Sequence, residues 1–325
     1  MKRGYWLLIF KALVTTALLV IIFRKVDAQH LLDVLRTADP WYAGLAVLLL
    51  LPNLLTAFAG WRFVLRLAGV KMTNTVVFES LLVGYSFGLV TPGGMGEAGR
   101  GMYFHNENRL HMVGLSFVQK FYSMIVTVLL GTLGLAWRLG DWRVVLLVAG
   151  VAAVAALCCV PRLVGKTMYR LVPYLPFLRD EVRVFIDKLR GFSAKRAATL
   201  LGLGLVFQMV SFTQFYVLLR AFHAPVDYVP VILTVALVFM LKALMPVAIA
   251  DLGIRESLVI YFFTRAPFGL VPEVAFNASF LLFAINVLLP SVLGLLFVHK
   301  IRWIKGGAEN PGTRPAANDE LRSAS

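Results

Sequence analysis

The chain has 325 residues, 59% of them hydrophobic and only 15% charged, with 32 Lys and Arg against 17 Asp and Glu for a net charge of +15. With a mean hydropathy of +0.80, this excludes a soluble domain and describes an all-α integral membrane protein with little mass outside the bilayer. The positive balance is read as basic loops against anionic lipid rather than a nucleic-acid footprint. Cys158 and Cys159 are adjacent in an apolar run and give no disulfide framework, and the five histidines have no metal-ligand spacing, so no metal and no cofactor is expected.

Lys2 and Arg3 precede an apolar run that extends to Phe23. Val26-Asp27-Ala28 resembles a signal-peptide cleavage site, but Arg24 and Lys25 stand between it and the apolar core, so the run reads as a retained span. Pro40 opens a second span, Trp41 to Phe63, with Trp41 and Trp61 expected as interface anchors, followed by a basic turn at Arg62, Arg66 and Lys71. A third apolar run, from Val76 to about Tyr103, is broken at Thr91-Pro-Gly-Gly-Met-Gly-Glu-Ala-Gly-Arg100. Pro92 lacks an amide donor, and Gly93, Gly94 and Gly96 give up the most backbone freedom in a helix, so the helix must break there.

Spans follow over Val113–Trp137 and Val144–Val160. Residues 162–198 form a linker in which nine Lys or Arg face three acids between Arg162 and Arg196; its apolar residues recur at helical spacing around Pro173 and Pro176, as in amphipathic helices lying on a membrane surface. Thr199–Leu219 is the next span. A second broken segment, Val229 to about Phe263, carries Pro246 and Gly253 within Met245–Glu256, and Val274–Val298 is the last span. Residues 300–325 read as a disordered cytoplasmic tail of a single membrane domain over 1–299.

Charge decides between two topologies. If both broken segments cross fully, there are eight crossings and the basic linker falls outside when the N-terminus is inside. If both are re-entrant, six crossings remain, and the N-terminus, the basic turn, the linker and the Lys300–Arg302 cluster all fall inside, as the positive-inside rule requires. Each half (about 5–137 and 144–298) then makes three crossings, so the second is inserted upside down relative to the first. Two broken segments at corresponding places in inverted repeats point to a transporter's binding site.

Ionisable residues within the bilayer are costly and by default mark pathways or binding sites. Glu97 and Arg100 follow the first break three residues apart on one helical face; Asp251, Arg255 and Glu256 repeat the pattern at the second. The bland alternative is that each acid–base pair is a buried salt bridge pinning the segment. A helix starting after each break would turn free amides and an arginine toward an anion such as a phospholipid or polyprenyl-phosphate headgroup. Lys120, Lys242 and Glu79 are secondary candidates, whereas Gln208, Gln214 and Asn286 are more often hydrogen-bond partners between helices. Gly93-Gly94-Met95-Gly96 lacks the lysine and preceding strand of a nucleotide-binding loop.

At these two breaks the sequence resembles a known family. Pro92 through Gly96-Glu97 to Arg100, and Pro246 through Gly253 to Arg255-Glu256, look like the paired signatures of the membrane family that includes the flippase domain of lysylphosphatidylglycerol synthases, and the likeness extends from about Leu7 to Val298. The resemblance implies a multi-pass protein of the bacterial inner membrane that handles lipids. The best-understood members move an aminoacylated phospholipid between leaflets, and others serve archaeal glycolipid or bacterial hopanoid pathways. The chain departs from the pattern at Gly94, where many relatives are expected to carry a basic residue. The family's synthase activity belongs to a soluble C-terminal domain. Here about 25 residues follow the last span, short of the roughly 50 of a small domain, so aminoacyl transfer is not expected.

The expected function is therefore a flippase-type lipid transporter, passive or ion-coupled, with both termini cytoplasmic. Two alternatives are a non-catalytic partner of lipid-biosynthesis enzymes and a membrane-embedded enzyme acting on lipid-linked substrates; against the enzyme stand the lack of an aspartate-rich metal motif and of a nucleophile beside a base.

Overall fold

The computed structural model describes residues 36–91, 95–104, 109–140, 193–244 and 254–301, together with positions 143, 146–148, 150 and 151. Among these residues every regular element is helical. Four helices are long and apolar enough to cross a membrane, Pro40–Leu67, Met112–Leu139, Ala194–Ala221 and Pro272–Val298, and they coincide with four of the expected spans. The span ending at Phe23, most of Val144–Val160, the linker up to residue 192 and the tail from residue 302 lie outside the described residues, as do Cys158 and Cys159.

Helices α1 (Pro40–Leu48) and α2 (Leu50–Leu67) form one rod interrupted at Leu49. Pro52 has no amide to offer the Leu48 carbonyl, which accounts for the interruption. Asp39 caps the rod by accepting from the amides of Trp41 and Tyr42. A turn through Gly69, whose φ of 77° suits a residue without a side chain, leads into α3 (Asn74–Val90).

Beyond α3 the chain turns back on itself. A 3₁₀ arm, Met95–Tyr103, lies along α3 with its sequence running the other way. Glu97 sits at Gly88, where a Cβ would come within 2.8 Å of its Cγ; Arg100 sits at Gly84, with a corresponding 3.0 Å to its Cβ. The Tyr103 hydroxyl then reaches Glu79. The two glycines, one helical turn apart, let the arm approach the α3 backbone closely. Where an α-helix was expected after this break, the sequence Met-Gly-Glu-Ala-Gly-Arg-Gly adopts the tighter 3₁₀ form, consistent with three glycines that disfavour α-helix. Helix α4 (Arg109–Leu139) starts afresh from beside the arm, since Gly101 abuts Met112 and Val113. The first broken segment thus folds back along α3.

The second half repeats the plan with α5 (Ala194–Ala221), α6 (Tyr228–Leu244), α7 (Ile254–Phe263), α8 (Pro272–Phe283) and α9 (Leu289–Val298). Helices α7 and α8 are antiparallel, tied by Arg255 to Ser279 at one end and by the Leu270 amide to the Phe263 carbonyl at the other. A π-helical segment, Ala284–Leu288, joins α8 to α9; Pro290 cannot bond the Asn286 carbonyl, and the ladder widens just before it.

The halves run in opposite directions. The α1–α2 rod meets α5 through three hydrogen bonds whose residue numbers move oppositely: Asp39 amide to Ala221 carbonyl at 2.8 Å, Gln214 Nε2 to Ala46 carbonyl at 2.7 Å, and Asn53 Nδ2 to Ser211 Oγ at 2.7 Å. Each half also sends its last helix across to the other. Gly134 of α4 packs so closely on α6 that a Cβ would lie 2.0 Å from the Leu233 carbonyl oxygen, and Gly294 of α9 would meet the Leu82 carbonyl of α3 at 2.1 Å. Two serines lock the second crossing, Ser86 Oγ donating to the Ser291 carbonyl at 2.6 Å and Ser291 Oγ to the Tyr85 carbonyl at 3.0 Å. Small residues at the contact give the close approach on which helix packing in lipid depends.

Trp61 departs from its expected place. It is fully buried, not an interface anchor, with its indole N–H donating to Ser80 Oγ at 3.0 Å; Trp41 is exposed. The reason is a cation, described below, that needs its ring face.

Gly134→Leu and Gly294→Leu are each expected to destabilise the protein by at least about 1–3 kcal/mol, because the added side chain has backbone in its way. Gly44→Leu, where nothing lies within 4 Å of the added Cβ, is the control. Thermal melting in detergent decides: equal melting temperatures for all three would sink the reciprocal packing.

Candidate functional site

The segment that follows each break is fastened by an arginine. Arg100, 7% exposed, donates through Nε to Ser116 Oγ at 3.0 Å and through Nη2 to the Ser116 carbonyl at 3.4 Å. Arg255, 5% exposed, donates through Nε to Ser279 Oγ at 3.0 Å and through Nη2 to the Ser279 carbonyl at 3.1 Å. In both cases the serine lies on the helix that follows the arm. An aromatic ring faces each guanidinium, Trp61 at 4.1 Å from Arg100 and Phe283 at 5.8 Å from Arg255. The same fork-on-serine geometry thus occurs once in each half.

The acids behave differently from the bland alternative in which Glu97 and Arg100 form a buried salt bridge. Glu97 turns to Lys120 of α4 at 3.6 Å, both side chains being about two-fifths exposed, while the guanidinium is taken up by Ser116 and Trp61. Residues i and i+3 share a face in a 3₁₀ helix too, and both side chains lie on the side of the arm toward α3, so it is the nearer partners on other helices that decide the pairing. In the second half Glu256 bonds its neighbour Arg255 at 2.6 Å and accepts from Ser279 Oγ at 3.2 Å. Asp251 lies outside the described residues, as do Pro92, Gly93, Gly94, Pro246 and Gly253. Gly96 is described, and its amide is not free: it donates to Thr91 Oγ1 at 2.6 Å, which satisfies a group that would otherwise face an anion.

Between the halves lies a cavity of about 370 Å³, within the size range of small-ligand sites. Its walls come from both halves and include Glu97, Arg100, Lys120, Lys242 and Arg255. Among the described lining residues there are four cations and one carboxylate. Lys242 reaches it from α6, its ammonium 5.3 Å from the Phe239 ring. Glu256 sits behind Arg255 and does not line the cavity. Glu79 is elsewhere: it accepts from Lys300 at 2.7 Å and from Tyr103, clasping the first arm to the residue that follows α9. Among the described residues no three His, Cys, Asp or Glu side chains are grouped as a metal site would need.

Gln208 and Asn286 do bridge helices, as expected, donating to Thr127 Oγ1 and to Gln214 Oε1 respectively, and both also line the cavity. Sequence reasoning missed Ser116, Ser279, Gln119 and the face of Trp61. A serine that serves an arginine 16 or 24 residues away looks like any serine bonding its own helix. Gly84 and Gly88 were legible as small residues one turn apart.

Ser116→Ala and Ser279→Ala each leave a buried guanidinium short of an acceptor. Each is expected to cost about 1–3 kcal/mol of stability, read as a lowered melting temperature, while Ser→Thr at the same sites retains most of it. Alanine variants as stable as the parent would remove the serines from the anchoring.

No curated protein matches the chain. A family model described as Lysylphosphatidylglycerol synthase TM region does, over residues 8–294, which take in both halves, both breaks and every residue lining the cavity. With nearly its whole membrane part matched, the chain belongs to the lysylphosphatidylglycerol synthase TM region family.

Proposed function

We propose that the protein is a flippase-type transporter that moves a phosphate-bearing lipid headgroup between leaflets through the central cavity. Family membership ties the chain to lipid metabolism or transport. The observation that carries the finer reading is the cavity itself: four cations from both halves converge on a space the size of a headgroup, inside a bundle of apolar helices. Cations held in low dielectric favour a phosphate; the Nε and Nη2 donors of both arginines are already spent on serines, so the arginines contribute charge rather than a fork. The acyl tails stay in the bilayer while the headgroup passes between the two return arms.

The halves act as inverted repeats, each contributing one re-entrant segment, so exposing the cavity to one leaflet and then the other requires only that they rock against each other. Movement is passive or ion-coupled. As a proton carrier Glu97 is better placed than Glu256, because it lines the cavity and its ion-pair partner among the described residues, Lys120, is partly exposed. On this reading the protein is no enzyme, it resides in the bacterial inner membrane with both termini cytoplasmic, and it serves enzymes that make the lipid.

Purified protein in liposomes is expected to speed the exchange of fluorescent phospholipid or polyprenyl-phosphate probes, read as fluorescence lost to an outside quencher. Glu97→Gln and Lys242→Gln should slow exchange at least about tenfold, a barrier increase of about 1.4 kcal/mol, while each variant remains folded by size-exclusion chromatography. Full exchange by Glu97→Gln takes that residue out of the mechanism. No exchange of any lipid, with or without an ion gradient, favours a non-catalytic partner of a lipid-synthesis complex.

A further inference from the structure

The turn between α2 and α3 builds a second concave site, which shares no lining residue with the central cavity. It is a cleft of about 520 Å³, a size that suits a ligand. Its charged lining is Arg62 and Arg66 of α2 and Lys71 of the turn, with no carboxylate in the wall. Among the described residues none of these three side chains has an ion-pair or hydrogen-bond partner. Glu79, two residues beyond Val77 of the cleft wall, is engaged by Lys300 and Tyr103.

The cations sit on a fixed frame. Helix α2 ends with the Gly69 amide donating to the Arg66 carbonyl at 3.1 Å and the Val70 amide to the Leu65 carbonyl at 3.0 Å, the paired bonds of a Schellman end with Gly69 in its left-handed position. The last carbonyls of α2 are thus met by the chain itself and place no demand on the cations beside them. Leu65, Val70 and Val77, which line the cleft, are buried in one apolar cluster. Ala197 and Leu200 of α5 belong to the same cluster, so Lys195 and Arg196 stand at this end of the bundle and add to its positive field. Helix α3 starts here as well: Thr73 lines the cleft without capping the first turn through its side chain, and the helix dipole has the same sign as the cations. Positive groups gathered without a counter-charge repel one another, and an anion in the cleft reverses that term.

What lies beneath the cations separates a lipid from a free anion. Phe58, Arg62 and Arg66 recur at four-residue spacing on one face of α2. One turn further into the bundle than Arg62, Phe58 meets Phe78 of α3 edge to face with ring centroids 6.1 Å apart, and Phe78 is exposed. Cations at the end of a helix pair, with exposed aromatic surface one turn deeper, match the phosphate and acyl chains of a phospholipid in order.

We propose that this cleft is a peripheral site for an anionic phospholipid, its phosphate held by Arg62, Arg66 and Lys71 and its acyl chains laid on Phe58 and Phe78. Arg100 and Arg255 spend their donors on serines, whereas Arg62 and Arg66 keep theirs for phosphate oxygens. The site lies off the path through the central cavity and does not rest on the transport reading.

The test is native mass spectrometry of the purified full-length protein in detergent, titrated with dioleoyl phosphatidylglycerol or dioleoyl phosphatidylcholine, with inorganic phosphate as the soluble competitor. Phosphatidylglycerol is expected to bind at least about tenfold tighter than phosphatidylcholine, and each cation removed should lower its affinity about fivefold. Arg62→Gln combined with Arg66→Gln therefore brings phosphatidylglycerol close to phosphatidylcholine and leaves the latter unchanged. Lys71→Gln, on the exposed turn, gives a single fivefold step should the double variant fail to fold. Both losses are expected at full size in a Lys242→Gln background, which impairs the central cavity. Phosphatidylcholine binding as tightly as phosphatidylglycerol, or variants that bind phosphatidylglycerol like the parent, overturn the proposal; losses that vanish in the Lys242→Gln background return the lipid to the central cavity and overturn it too. Inorganic phosphate that competes as well as the lipid, or Phe78→Ser that leaves lipid affinity untouched, overturns the lipid part.

Discussion

A guanidinium placed among apolar helices must be met by the protein, and the way Arg100 and Arg255 are met organises the rest of the structure. Each spends its donors on a serine hydroxyl and on that serine's own carbonyl, across a gap of 16 or 24 residues. The bond fixes where the return arm sits against the next helix. It also lays one face of the guanidinium on an aromatic ring, which explains why Trp61 is buried and not at an interface. A lysine in either place would offer a more strongly hydrated charge without the planar fork that bonds both oxygens of one residue.

The first arm covers one side of α3, and the other sides of the helices before the breaks receive helices from the opposite half. Helix α3 receives α9 and helix α6 receives α4, each through a glycine whose missing side chain admits a backbone carbonyl. The two halves therefore interlock: neither last helix has its main partner in its own half. The wall of the central cavity is mostly apolar, with charge from Arg100 and Glu97 of the first arm, Arg255 of α7, Lys120 of α4 and Lys242 of α6, and amides from α4, α5 and the π segment.

The likeness between the halves is geometric, with little direct identity between them. Two arginines at different distances from their serines, one in a 3₁₀ arm and one in an α-helix, make the same contact. Preservation of the contact under such different local sequence is what a shared physical demand produces: a charge next to a break has to be neutralised or bonded, and a neighbouring helix is the nearest source of acceptors.

Much of the architecture was legible in the chain. Apolar runs long enough to span a bilayer located the helices to within a few residues, because backbone groups in lipid can be satisfied in few other ways. Pro92 and the glycines around it marked the place where α3 ends, after which the arm folds back along it. Family membership followed from motifs at the same two breaks. Partner choice was not legible. Glu97 and Arg100 are three apart, a spacing that puts them on one face of the arm; the nearness of Lys120 and Ser116 on α4 pairs them with others. Nor did anything in the sequence distinguish Gln119, Gln208 and Asn286 as cavity residues, since which side chains line a cavity depends on how distant helices meet. Hydropathy and backbone chemistry are local, and a single chain displays them. Hydrogen-bond partnership inside a bundle is decided by which helix face meets which, and only the tertiary structure sets that.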